Sequence, residues 1–96
     1  MTALREKMMH DLQLAGLAKD TRDRYVASIA SFAKFRRRSP AEMGQEEIRA
    51  WVQHLESSGI EPTRLNQHFG ALRFLYRKTL GKPEVVAFLS TPKRHL

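Results

Sequence analysis

Apolar residues recur every three to four positions along almost the whole chain, and no stretch alternates as a half-buried strand must. That spacing confines the 96 residues to an all-α fold around one small core. Leu4, Met8, Leu12 and Ala15 mark the buried face of a first helix. Gly16 followed by Leu17 reads as its stop, with glycine in the left-handed cap and leucine folding back. A second helix is expected from Lys19 or Asp20 to about Arg37, anchored by Tyr25, Ile29, Phe32 and Phe35. Asp20 can cap its first amides, Asp23 suits its positive end, and Arg36 to Arg38 suit its negative end. Ser39-Pro40 breaks it. A third helix starts near Gly44, with Glu47 at a capping-box position and Ile48, Trp51, Val52 and Leu55 inward. Ser57 to Ile60 ends it. A fourth runs from Pro62 to about Leu80, carrying Leu65, Phe69, Leu72 and Tyr76, and Gly81-Lys82-Pro83 stops it. A short helix from Glu84 to Leu89 follows. Ser90 to Leu96 is polar, basic and unpatterned, as a linker would be. The short connections favour neighbours that run antiparallel or cross.

Charge narrows the partners. Lys and Arg number 17 against 10 Asp and Glu, a formal net charge of +7. Such a balance favours nucleic acid or another anionic surface and says nothing about fold. The chain has no cysteine, so disulfides and thiolate metal sites are excluded and a reducing compartment is compatible. No apolar run approaches the roughly 20 residues that span a bilayer, and the N-terminus lacks a signal-peptide core. A cytoplasmic protein is expected, with no membrane partner.

The second and fourth helices open alike, at Asp20-Thr21-Arg22 and Pro62-Thr63-Arg64. On a helical wheel Arg24, Ala27, Ser28, Ser31, Lys34 and Arg38 fall away from the apolar stripe of the second helix. Small side chains let a backbone approach a phosphate, and basic ones neutralise it. The same face could equally be ordinary solvated surface. On the fourth helix Thr63, Asn66, Gln67, Gly70, Arg73 and Arg77 lie off the apolar stripe. Asn and Gln can read adenine edges and Arg guanine, and helix N-termini favour phosphate. Gly70 inside a helix costs about 1 kcal/mol against alanine. A close approach would explain it, to another helix or to DNA.

No active site is legible. His10, His54, His68 and His95 lack metal-ligand spacing, and no glycine-rich phosphate loop occurs. Glu46 and Glu47 are accounted for by helix capping. Tyr25 and Tyr76 occupy apolar-stripe positions, which suits packing and not nucleophilic attack. No cofactor, metal or small-molecule substrate is expected.

The ordered pattern Thr21, Tyr25, Ile29, Phe32, Phe35, then Met43, Ile48 and Leu55, then Thr63-Arg64-Leu65-Asn66-Gln67 with Ala71 to Arg77, resembles the N-terminal core-binding domain of tyrosine recombinases, or phage integrases. Integron-type and Xer-type integrases are the most similar in flavour, and the resemblance covers about Leu4 to Leu96. It implies a SAM-like bundle of four to five short helices. Residues 1–89 would form the DNA-binding domain, and 90–96 the linker towards a catalytic domain absent from this chain. It implies that this domain covers one face of a recombination-site duplex while the catalytic domain grips the other, and that other recombinase protomers assemble on the same DNA. Helices two and four would enter or flank the major groove. Carried over by motif, the contacts are Thr21 and Arg24, then Thr63, Arg64 and Gln67, with Lys19, Arg22 and Arg73 as phosphate contacts. The strand-cleaving tyrosine and its Arg/Lys/His set belong to the catalytic domain, so this chain alone would not be an enzyme. Two departures stand out. Ala18 replaces a frequent serine cap, shifting the expected helix start towards Asp20, and Asp20 puts negative charge near the proposed DNA entry.

Two other readings stay open on the residues alone: a basic helical adaptor for an acidic protein, and a small transcriptional regulator. The long Arg36-to-Gly44 connection argues against a compact helix-turn-helix.

Overall fold

The computed structural model describes residues 2–89. Its elements are α1 (Thr2–Leu14), α2 (Lys19–Arg36), a 3₁₀ turn (Pro40–Glu42), α3 (Gln45–Ser57), α4 (Pro62–Phe74), a π-turn (Leu75–Thr79) and a second 3₁₀ turn (Pro83–Val86). No strand occurs among the described residues. The all-α expectation and the SAM-like bundle of four α-helices therefore hold. Residues 90–96, expected to form the linker, lie outside the described residues.

The helix ends are set by local chemistry. After α1, Gly16 takes φ +79°. Its N–H bonds to the Gln13 carbonyl, and the Leu17 N–H bonds back to the Leu12 carbonyl at 3.4 Å. This is the Schellman pattern that the Gly-Leu pair implies. Helix α2 begins at Lys19, directly after an extended Ala18 with no side-chain cap. Asp20 therefore sits inside the first turn instead of capping it, and the helix start is not displaced. There its charge still favours the positive helix end. At α3 the Glu47 carboxylate accepts from the Gly44 N–H at 2.9 Å. Glycine has no side chain to return the bond, so only half of the capping box forms. That bond, more than the nearby Arg38, holds the Glu47 carboxyl below its ordinary range.

Four expectations change. Ala15 is exposed, although its N–H still bonds the Asp11 carbonyl at 3.0 Å in the last turn of α1. Phe35 is 37% exposed, lying at the rim. Helix four stops being α-helical at Phe74 and widens into a π-turn, where the Leu80 N–H reaches the Leu75 carbonyl at 2.8 Å. The expected closing helix from Glu84 to Leu89 is a single 3₁₀ turn, Pro83–Val86. The 3₁₀ turn at Pro40–Glu42 fills part of the long connection after α2, and Ser39 Oγ caps it at the Ala41 N–H.

The core gathers Met8 and Leu12 from α1, Val26, Ile29 and Phe32 from α2, and Ile48, Trp51 and Leu55 from α3. Leu72, Leu75 and Tyr76 come from α4 and its π-turn, and Val86 and Leu89 close the end. Full burial of such a side chain is worth roughly 1.5–3 kcal/mol against exposure. Tyr76 is completely buried and donates its hydroxyl to the Pro40 carbonyl at 2.6 Å. Burial pushes its phenol well above the ordinary range. Tyr76 thus ties the α4 end to the turn after α2, a packing role as its stripe position implied. Polar bonds dock α1 on the π-turn. Lys7 Nζ donates to the Thr79 carbonyl at 2.5 Å, and Thr79 Oγ1 donates to Asp11 Oδ2 at 2.9 Å. Thr79 ends the helical run and its i+4 residue, Pro83, has no N–H, so Lys7 supplies the missing donor. At the chain's other described end, the Arg49 guanidinium lies 4.6 Å from the Phe88 ring centroid.

Helices α2 and α4 make the central pair. The contacts Tyr25–Gly70 and Ser28–His68 run in opposite chain directions, so the two helices pack in antiparallel sense. A Cβ on residue 70 would stand 2.6 Å from Tyr25 Oη and 3.2 Å from its Cζ. Gly70 is therefore explained by a neighbouring helix and not by a ligand. Gly70→Ala should gain about 1 kcal/mol of helix propensity but lose about 1–3 kcal/mol to overpacking. In a Tyr25→Phe background the worst contact is gone, so the same substitution should cost about 1 kcal/mol less. Urea unfolding of the four chains measures this, and equal costs in both backgrounds would contradict the packing account.

Candidate nucleic-acid interface

Beside the α2–α4 contact lies an open cleft of about 160 Å³. Its α2 wall is Arg24, Ala27, Ser28 and Ser31, and its α4 wall is Arg64, Gln67 and His68. The α2 residues are spaced i, i+3, i+4, i+7, and the α4 residues i, i+3, i+4, so each wall is one helical stripe. Ala27 and Ser31 are short, which keeps the space open. Arg24, Arg64 and Gln67 alone line a further recess. No carboxylate lines either space. The ion pairs among the described residues are Lys19–Asp23 and Arg38–Glu47, so Arg24 and Arg64 keep uncompensated charge.

The structure sorts the eight residues singled out in the sequence. Arg24, Arg64 and Gln67 come together in the cleft. Thr63 is exposed in the first turn of α4, and Thr21 is half-buried in the first turn of α2. Lys19, also in that turn, is exposed and pairs with Asp23 at 2.9 Å, which raises its ammonium above the ordinary range. Arg22 and Arg73 turn towards the backbone. Arg22 Nη1 donates to the Leu17 carbonyl at 2.9 Å, and its Nε is buried without a partner. Arg73 Nη1 donates to the Leu89 carbonyl at 3.0 Å. These two guanidiniums fasten the α1–α2 connection and the closing turn. Arg73 also shares a second, shallower hollow with Arg77 and Lys78, on the flank of Tyr25 and Gly70.

Two cleft residues were misjudged or overlooked in the sequence. Ser28 was placed on the outward stripe, yet it is buried, at 6% exposure. Its Oγ lies 2.5 Å from His68 Nδ1, so α4 covers it. His68, expected to be a surface or partly buried histidine and not a metal ligand, is half-buried, but its place in the cleft goes beyond that expectation. It forms the floor of the cleft, with the Trp51 ring edge-on at 5.9 Å. Burial first, and the Arg64 charge second, hold the imidazole below its ordinary value and favour the neutral form. Beneath it Trp51 stacks with His54, and His54 with Phe35, the ring centroids 5.7 and 4.8 Å apart. The only sequence signal for His68 was its i+4 spacing from Arg64.

Comparison with known proteins agrees with this architecture. The family described as "Phage integrase, N-terminal SAM-like domain" matches residues 4–85. A protein of Sinorhizobium fredii named "Putative integrase/recombinase y4qK" is 30% identical over 96 residues. The alignment takes in 98% of this chain and 31% of that relative, so the chain spans about a third of the relative's length. No solved structure matches.

The lowered His68 value has a consequence for stability. A neutral histidine in the fold must compete with a more readily protonated one in the unfolded chain. Its contribution is fully present above the unfolded value near 6.5 and is lost as pH falls through the lower folded value. The urea midpoint of the free protein should therefore drop between about pH 7.5 and 5.5. His68→Gln should flatten that drop. An unchanged slope in the variant would contradict the assignment.

Proposed function

The chain belongs to the phage integrase N-terminal SAM-like domain family, and on that premise we propose that it is the DNA-binding domain of a site-specific tyrosine recombinase, holding one face of the recombination-site duplex. The observation that carries the reading is the acid-free cleft between α2 and α4, with Arg24 and Arg64 on its two walls and without an acidic partner among the described residues. Phosphate neutralisation supplies most of the affinity of such a surface. Arg24 and Arg64 approach the phosphate backbone from the two walls of the cleft. Thr21 and Thr63 offer hydroxyls and first-turn amides to further phosphates. Gln67, beside Arg64, is placed to read a base edge. Lys19 adds a weaker contact, since Asp23 offsets its charge.

Arg22 and Arg73 serve the site mainly by fastening the elements that frame it, with spare N–H groups for phosphate. The domain comprises residues 1–89, and 90–96 lead towards the catalytic part. The whole protein cleaves and rejoins DNA strands, with the reacting groups outside this chain and with other protomers on the same DNA. It works in the cytoplasm, and no described helix is long and apolar enough to cross a membrane.

Titration of the 96-residue chain with duplex at low and raised salt tests this. Affinity should fall steeply with salt. Arg64→Ala should weaken binding to every duplex and reduce the salt slope by about one. Gln67→Ala should erase preference for the recombination site over random duplex and leave the slope intact. Arg22→Ala should lower the unfolding midpoint more than it changes the slope. Absence of binding at low salt would return the adaptor reading, and a salt-independent affinity would remove the phosphate clamp.

A further inference from the structure

The floor of the cleft holds a polar pair whose donor pattern depends on protonation. Ser28 and His68 come from facing helices and sit 40 residues apart in sequence, with Oγ and Nδ1 at 2.5 Å. Ser28 is buried, so its hydroxyl has little access to bulk water. In the neutral tautomer with the proton on Nε2, Nδ1 accepts the Ser28 hydrogen, and the serine presents only lone pairs to the cleft. Those lone pairs repel an anionic oxygen. In the imidazolium both ring nitrogens carry protons, so Nδ1 donates to Oγ and the serine hydrogen is released to point outwards. The floor then becomes a donor with a positive charge behind it.

We propose that the Ser28–His68 pair is the inner contact of a subsite for one DNA backbone phosphate, and that seating the phosphate draws a proton from solvent onto His68. The inference rests on the DNA-binding reading above and adds the contact and its proton linkage. The cleft, at about 160 Å³, admits a phosphate group between Arg24 and Arg64, with Ser31 and Gln67 as further polar walls. The groups facing His68 are cationic or neutral in the free protein. Arg24 approaches from α2, Arg64 from α4, and the Trp51 indole from α3, with His54 stacked behind it. No carboxylate lines the cleft, so no acidic side chain there favours the imidazolium. The lowered His68 value fits this, since burial and Arg64 keep the imidazole neutral while the cleft holds no phosphate. A phosphate oxygen reverses both effects by offering an acceptor and a negative charge.

Linkage fixes the sign. If a bound anion favours protonated His68, then protonated His68 favours the anion by the same factor. The test is an NMR pH titration of the imidazoles in the 96-residue chain, free and saturated with a short mixed-sequence duplex at low salt. His68 should titrate about one pH unit higher in the complex than in the free chain. Duplex affinity should then rise severalfold as pH falls from 8 to about 5.5, about tenfold being the limit that a one-unit shift sets well below the free His68 value. His68→Gln should still bind but lose that pH dependence, and Ser28→Ala should retain only part of it. A duplex that binds with the expected salt dependence yet leaves the His68 titration unmoved would overturn the inference alone. Survival of the pH dependence in His68→Gln would do the same. Failure to bind at any pH would overturn the DNA-binding reading together with it.

Discussion

The approach of α2 to α4 at Tyr25 and Gly70 sets the distance on which the rest of the domain depends. A glycine at residue 70 lets the tyrosine hydroxyl come where a Cβ would collide, at 2.6 Å. With the two helices fixed that closely, Ser28 is brought under α4 and meets His68. The stripes that flank the contact become the walls of the cleft. Tyr76 then holds the far end of α4 to Pro40, and Lys7 holds α1 to the π-turn. Each of these bonds joins segments far apart in sequence, so the cleft geometry is a property of the whole bundle.

The same framework divides the positive charge into two kinds. Arg22 and Arg73 spend donors on the carbonyls of Leu17 and Leu89 and keep the connections in place. A guanidinium suits this work because its planar fork reaches several acceptors from one anchor. Arg24 and Arg64 have no acidic partner among the described residues and face an open space. Equal contributions from all the basic residues to the net +7 would give a diffuse attraction. The sorted arrangement concentrates two of them around a groove with polar walls, which favours one anionic group at a defined position.

Much of the fold was legible because its signals are local. The Gly16-Leu17 stop, the Pro62 start and the Glu47 contact to Gly44 each involve residues a few positions apart, and each formed as the sequence implied. The π-turn at Leu75–Thr79 was not legible, since its register depends on Lys7 and Asp11 arriving from α1. Ser28 was misassigned for a related reason. A wheel assigns one buried side per helix, whereas α2 is covered on two sides, by the core and by α4. The site was half-legible. Arg24, Arg64 and Gln67 are recognisable as residue types that contact DNA, but nothing local says that they share a cleft. Nothing local says that Arg22 and Arg73 turn to carbonyls either, or that His68 lies beneath Arg64.

The central claim is that DNA meets this domain at the α2–α4 cleft. The most direct measurement is backbone and side-chain NMR of the labelled chain during addition of a short duplex. The account predicts the largest shift changes at Arg24, Ser28, Ser31, Arg64, Gln67 and His68, with little change on the outer faces of α1 and α3. Changes centred on α1 or α3, with the cleft resonances unmoved, would contradict it.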